Sequence, residues 1–178
     1  MALLARVKSW LPETEGIRVF DADGRARWTQ HSAPESANEI CQCLDTLRDD
    51  PGAGLIVGRP IARRGGAGWL IPFSRGVVRP GGSFSGIVTV TVPLGYFTEL
   101  LARPQLGEGG SAILRHADFS LITRVPPVAG AAGVVGNVWI SEQIRSRFAA
   151  GQNSFTYISP ITSDKIERLN AVRRIEGL

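Results

Sequence analysis

Apolar residues recur along the chain with two different periods, which mark helices and strands. Ile40, Leu44 and Leu47 fall on one face at helical spacing, so the sequence predicts a helix over residues 39–49. A strand is predicted over residues 87–92, where valines at positions 88, 90 and 92 alternate with threonines at positions 89 and 91. Such alternation is typical of a sheet that buries one face, and it leaves open whether the threonines line a cavity or face water.

Shorter apolar runs, bounded by Gly, Pro and Asp, complete the predicted order of elements. Strands are predicted over residues 17–20, 25–30, 55–57, 69–73, 112–115, 121–124, 154–158 and 167–174, helices over residues 2–10, 94–102 and 141–148, and tight turns over residues 21–24, 80–82, 117–120 and 162–165. Because tight turns join the strands and helices are interposed, the predicted fold class is α+β, a PAS-like antiparallel sheet with flanking helices.

Composition and charge narrow the range of functions. Of the 178 residues, 43% are hydrophobic and 20% are charged, which is the balance of a globular protein that folds around a core. The net charge of +4 comes from basic residues scattered in pairs, such as Arg173 and Arg174, so no nucleic-acid partner is expected. No apolar run reaches the ~20 residues of a membrane-spanning helix, and both ends of the sequence look cut from a longer protein.

The sequence predicts neither an enzyme nor a bound cofactor or metal. His31 and His116 are the only histidines, and neither has a nucleophile or a carboxylate at the spacing of a catalytic triad or a metal site. Two glycine-rich segments, residues 58–68 and 106–112, lack the motif of a phosphate-binding loop. Cys41 and Cys43 are predicted to be unbridged, partly buried thiols that pack as small apolar side chains, with redox sensing as the weaker alternative.

Three separated stretches of the sequence are similar to motifs of one protein family. They are residues 19–24 followed by Trp28; residues 55–97, which contain IVGRP and GWLIPFSRGVVRPGGSFSGIVTVTVPLGYF; and residues 110–114 with residues 121–126, ending in residues 155–174. Together they resemble the double Cache sensor domains, of PAS-like build, that bacterial receptors hold outside the membrane. The middle stretch carries most of this resemblance.

The resemblance implies two lobes and a role in signalling. Residues 1–12 would be the end of an N-terminal helix, residues 13–104 a membrane-distal lobe, and residues 105–178 a smaller, truncated membrane-proximal lobe. The chain would be the extracytoplasmic, periplasmic part of an inner-membrane receptor of the histidine kinase or diguanylate cyclase type, joined to the membrane through segments outside this sequence. Its function would be to bind a small organic molecule. The alternative is a module that binds no ligand and serves to form a homodimer or to dock a periplasmic partner.

In a PAS-like lobe the ligand lies between the concave face of the sheet and the helix and loops that cover it. The candidate ligand-binding residues are Trp69, Ile71, Phe73, Arg75, Arg63 and Thr89. Trp69 offers a stacking wall, and the Arg75 guanidinium can receive a carboxylate in a bidentate manner. Arg63 lies on a loop that can fold over the pocket. The structural alternatives are a core aromatic for Trp69, a salt-bridge partner for Arg75 and solvated surface for Arg63.

Two departures from the family bear on the ligand. Residues 40–44 read Ile-Cys-Gln-Cys-Leu where relatives resembling this chain carry an Asp-Arg-x-Tyr-Phe string. Relatives that sense amino acids place an Asp a few residues before the tryptophan, whereas this chain has Arg63 and Arg64. The resemblance therefore favours an anionic or carboxylate ligand over an amino acid.

Overall fold

The computed structural model describes residues 12–30, 37–63, 68–159 and 167–175. The chain divides into two compact units, Met1–Phe97 (unit 1) and Thr98–Leu178 (unit 2). The predicted helix over residues 2–10 and the predicted turn over residues 162–165 lie outside the described residues. Within the described ranges, no helix has the length and apolar character needed to cross a membrane.

Unit 1 is an antiparallel sheet with helices, as the sequence predicts. Its elements are β1 (Gly16–Asp21), β2 (Ala26–Gln30), α1 (Ala37–Asp49), β3 (Leu55–Val57), β4 (Ile61–Ala62), β5 (Trp69–Val78), β6 (Phe84–Pro93) and α2 (Leu94–Ala102). The strand order is β2-β1-β6-β5-β3, and β4 pairs with β5 beside β3. Every described pairing in this sheet is antiparallel, which confirms the α+β fold class.

The central hairpin is longer than the sequence indicates. β5 continues from residue 73 to Val78 and β6 begins at Phe84, because the ladder pairs Gly76 with Ile87 and Val77 with Gly86. Glycine weakens a strand in isolation, so the apolar pattern alone ends β5 too early. The two-residue strand β4 was not predicted, since so short a run carries no periodic signal.

The hydrophobic core of unit 1 lies where α1 covers the sheet. Its buried members are Phe20, Leu44, Leu47 and Ile87, with Ile56 and Phe84 packed at the edge. Leu47 and Ile87 are completely buried. The helical spacing of Leu44 and Leu47 therefore does set the face that α1 presents to the sheet, as predicted.

Unit 2 consists of two hairpins and a helix. Its elements are β7 (Ala112–Arg115), β8 (Leu121–Val125), a 3₁₀ turn (Ala131–Gly133), α3 (Glu142–Ala149), β9 (Ser154–Ser159) and β10 (Arg168–Arg173). The Phe148 ring of α3 lies between Phe119 and Phe155, with centroid distances of 5.8 and 5.4 Å. This aromatic contact fixes α3 against both hairpins of the unit.

The division between the two compact units falls within α2, between Phe97 and Thr98. The Phe97 ring stacks on Phe73 of unit 1, with 6.2 Å between centroids. The next residue, Thr98, shares a 2.7 Å hydrogen bond with the Thr123 hydroxyl of unit 2. The lobe boundary after residue 104 stays a prediction.

Gly86 provides a test of the sheet. Its φ is +143°, and a Cβ there would overlap the Phe20 carbonyl and lie 2.9 Å from the Asp21 Cα. We expect Gly86→Ala to lower the free energy of unfolding by about 3 kcal/mol or more, because the backbone of β1 cannot yield without breaking the ladder. The control is Gly81→Ala, where φ is +112° but no atom lies within 4 Å. Its expected cost is about 1 kcal/mol in urea denaturation. Equal costs for the two variants would contradict the close packing of β1 on β6.

Candidate functional site

The two faces of the unit 1 sheet differ in chemistry. Directly paired residues of neighbouring strands point to the same face, and successive residues point to opposite faces. Ile87, Thr89 and Thr91 are alternate residues of β6 and therefore share one face of the sheet. Because Ile87 packs against α1, this is the helix-covered face. The threonines are buried there, whereas the valines between them are only partly buried on the other face.

A row of polar side chains crosses the helix-covered face. Thr29 of β2 is opposite Arg18 of β1, Arg18 is opposite Thr89 of β6, and Thr89 is opposite Ser74 of β5. We call these four residues the polar row. Ser74 and Thr89 are 1% and 2% exposed. Their hydroxyls share a 2.9 Å hydrogen bond, so each satisfies the other inside the protein.

Arg18 is the one charged member of the polar row. Its side chain is 7% exposed, and burial lowers the pKa of its guanidinium from the ordinary value. The group nevertheless stays protonated, since an arginine is not deprotonated in proteins. Both cross-strand neighbours, Thr29 and Thr89, are neutral. The sheet thus holds a fixed positive charge in a poorly solvated place, where it interacts with an anion more strongly than in water.

Helix α1 passes over the β5 end of the polar row. A Cβ at Gly76 would lie 3.7 Å from Leu47, and a Cβ at Gly58 would meet the Pro72 ring at 2.6 Å and the Cys43 sulfur at 3.7 Å. Pro72 and Gly76 flank Ser74 on the same face of β5. The helix therefore lies above the segment that contains Ser74, and the polar row runs out from beneath it toward β2.

Comparison with solved structures found several of similar fold. No protein-family model matches the chain, and no curated protein matches it. The extracellular domain of a protein assigned as the histidine kinase rpHK1S-Z16 is 23% identical, with a TM-score of 0.76 over 96% of this chain and 69% of that one. The corresponding domain of mmHK1S-Z2 is 11% identical, with a TM-score of 0.64 over 98% of this chain and 75% of that one.

A third similar structure is an extracellular ligand-binding receptor from Desulfohalobium retbaense DSM5692. It is 17% identical, with a TM-score of 0.59 over 89% of this chain, and the chain spans 28% of its length. The chain therefore has the fold of these extracellular receptor domains. This similarity confirms the fold that the sequence resemblance predicts.

The structure does not bring the sequence-predicted site residues together. Trp69, Ile71, Phe73 and Arg75 alternate along β5 and share the face opposite the polar row, whereas Thr89 belongs to that row. Trp69 is 38% exposed and Arg75 is exposed, while Ile71 is buried. One pocket on one face of this sheet cannot be lined by all five, so ligand binding by the β5 residues and by Thr89 are separate hypotheses.

Arg63 has a partner within the chain. Its Nε donates a 2.8 Å hydrogen bond to a Glu15 carboxylate oxygen, and a second guanidinium nitrogen also contacts that carboxylate. A bidentate ion pair of this kind holds the side chain beside β1. Arg64 lies outside the described residues.

Trp69 and Leu44 lie on opposite faces of the sheet, because Leu44 packs on the helix-covered face and Trp69 lies on the other. The two cysteines of α1 bear on the redox alternative. Cys43 is buried in the core, and the side chain of Cys41 is outside the described part of the chain. Burial of Cys43 in apolar surroundings does not favour the reactive thiolate that redox sensing needs.

Arg18 and Ser74 of the polar row were not among the candidate ligand-binding residues. A signal for Arg18 was present, because it lies between Ile17 and Val19 and shares a face with Phe20, so a charged residue interrupts an apolar run. An arginine at a core-facing position of a strand is unusual enough to indicate a function or a buried ion pair.

The hydroxyl pair of the polar row can be tested by a double-mutant cycle. We expect Ser74→Ala to lower the free energy of unfolding by about 1–3 kcal/mol, because it leaves the buried Thr89 hydroxyl without its bond. Thr89→Val, which keeps the shape, should cost a similar amount. The double variant should cost less than the sum by about 1 kcal/mol, measured by urea denaturation. Strictly additive costs would show that the two hydroxyls do not interact.

Proposed function

We propose that the chain is the ligand-sensing part of a membrane-bound signalling receptor and that unit 1 binds a small organic carboxylate at the polar row. Arg18 anchors the carboxylate, and the buried hydroxyl pair of Ser74 and Thr89 continues the polar row beside it. The observation that carries the proposal is the burial of a guanidinium on the sheet face that α1 covers. The similar structures support an extracellular location, because two of them are the extracellular domains of proteins assigned as histidine kinases.

Burial of the Arg18 guanidinium has an energetic cost. A charged group removed from water costs several kcal/mol unless other groups compensate it, and an apolar residue at the same place would stabilise the fold more readily. A guanidinium can form two parallel charge-assisted hydrogen bonds with a carboxylate ligand. Such bonds are strong where the site is shielded from solvent.

The position of α1 supplies a means of signalling. Leu44 and Leu47 hold the helix on the apolar end of the sheet face, next to the polar row. A ligand on the polar row contacts the sheet and the underside of the helix together. It therefore favours whichever helix position fits it better, and the shift is limited by its difference in affinity for the two positions.

Several expectations from the sequence remain proposals within this function. They are the membrane-distal role of unit 1, the membrane-proximal role of unit 2, the periplasmic location in an inner-membrane receptor, the output through a kinase or cyclase module, and the homodimer. The β5 residues Trp69, Ile71, Phe73 and Arg75 offer a competing ligand site on the opposite face. Arg75 is the cation of that competing site.

The two sites are distinguished by a matched pair of arginine variants. We expect one or more members of a set of small carboxylates at millimolar concentration to raise the melting temperature of the protein by a few degrees. Arg18→Met should abolish the rise, because it removes the anchor and keeps the length of the side chain. Arg75→Met removes an exposed cation from the same unit and should leave the rise unchanged.

A third variant separates charge from geometry. Arg18→Lys keeps the charge but loses the planar fork, and we expect it to weaken binding about 10-fold in calorimetric titration. Loss of the thermal shift in Arg75→Met with retention in Arg18→Met would move the site to the other face. No stabilisation by any carboxylate would contradict a small-acid site and favour the docking or dimerisation module.

A further inference from the structure

Unit 2 contains a cleft of its own that the proposed function does not use. The cleft is bounded by the β7–β8 hairpin, the segment that leads into α3, and the β9–β10 hairpin. It encloses about 630 Å³ when its open mouth is included. Because the mouth accounts for much of that space, the cleft suits a ligand the size of a single ring and not a large cofactor.

Two arginines line the cleft, and one of them is firmly held. Arg115 donates from its Nη1 to the carbonyls of Phe119 and Asn137, at 2.7 and 3.0 Å. Only one of its three guanidinium nitrogens is used in these bonds. Burial, and then the nearby positive charge of Arg124, lower the pKa of Arg115. Because both arginines line the same cleft, they give it a positive potential that favours an anionic ligand.

The rest of the lining is apolar and aromatic, with a few polar groups. Ile113 and Arg124 are directly opposite on the β7–β8 hairpin and so share the face that lines the cleft. Trp139, which is 53% exposed, forms one side. Tyr157 and Asn170, opposite each other on β9 and β10, also line the cleft. A cationic end and an aromatic wall match a carboxylate that carries an apolar body.

Hydrogen bonds within the chain hold the wall that carries Trp139. The Leu121 amide donates to the Asn137 carbonyl at 2.8 Å, and the Gly136 amide donates to the Leu121 carbonyl at 2.8 Å. The Trp139 amide donates to the side-chain oxygen of Asn137, also at 2.8 Å. Asn137 therefore ties the wall, β8 and Arg115 together. A wall held by such hydrogen bonds loses little conformational entropy when a ligand packs against it.

We propose that this cleft is a second ligand site, which binds a small carboxylate with an aromatic or aliphatic body. Arg115 and Arg124 receive the carboxylate, and Trp139 packs against the body. The site is independent of Arg18, so either site can exist without the other.

The test uses benzoate as the probe and benzamide as its neutral counterpart of the same shape. Titrations are made on Arg18→Met protein, which lacks the anchor of unit 1, and are followed by calorimetry and by tryptophan fluorescence. We expect benzoate to bind and benzamide to bind at least about 10-fold more weakly, because the charge contributes about 1.4 kcal/mol or more. Trp139→Phe should remove the fluorescence response while calorimetry still detects binding.

Variants of the second arginine locate the site. In the same Arg18→Met background, Arg124→Gln should weaken benzoate binding about 10-fold or more, and Arg124→Lys should retain most of it. Arg173→Gln, which removes an exposed cation of β10 outside the cleft lining, should have no effect. Unchanged binding in Arg124→Gln, equal binding of benzoate and benzamide, or no benzoate binding to Arg18→Met protein would each overturn the proposal. None of these results affects the test of Arg18 by thermal shift.

Discussion

The burial of the Arg18 guanidinium on the helix-covered face of the unit 1 sheet is the constraint on which the proposed function depends. That face also holds Phe20 and Ile87, which form the core with Leu44 and Leu47. A sheet face that carries both a core and a charge must keep them apart. The strand register places Phe20 and Ile87 in one cross-strand row and the polar row next to it on the same face. The core therefore excludes water, while the charge of Arg18 has polar neighbours.

Helix α1 links the stability of the fold to the site. Its leucines pack on the apolar row, and its path over β5 brings it above Ser74. An anion bound at Arg18 would therefore act next to the contacts that hold the helix. Binding next to these contacts could therefore move α1. Packed interfaces shift between discrete positions and do not deform continuously.

The sequence predicted most of the fold because strands, turns and helices leave local periodic signals. The bounds of α2 and β3 were predicted without error. The site was harder to predict because it depends on which sheet face α1 covers, and that is a tertiary property. The alternation of valines and threonines in β6 predicted which residues share a face. It did not show which face is buried, and in the structure the threonine face is the more buried one. Likewise, the pairing of Arg63 with Glu15 joins residues far apart in the chain, which no local pattern reveals.

The central claim is that Arg18 is the group that receives the ligand, and side-chain NMR of the arginines tests it most directly. In protein labelled at arginine, Arg18 and Arg75 are assigned by comparison with the Arg18→Met and Arg75→Met variants. Addition of a carboxylate that raises the melting temperature should shift the Arg18 Nε–H resonance and slow its exchange with water, because a bidentate bond forms there. The Arg75 resonance should not move. A response at Arg75 with none at Arg18 would contradict the account.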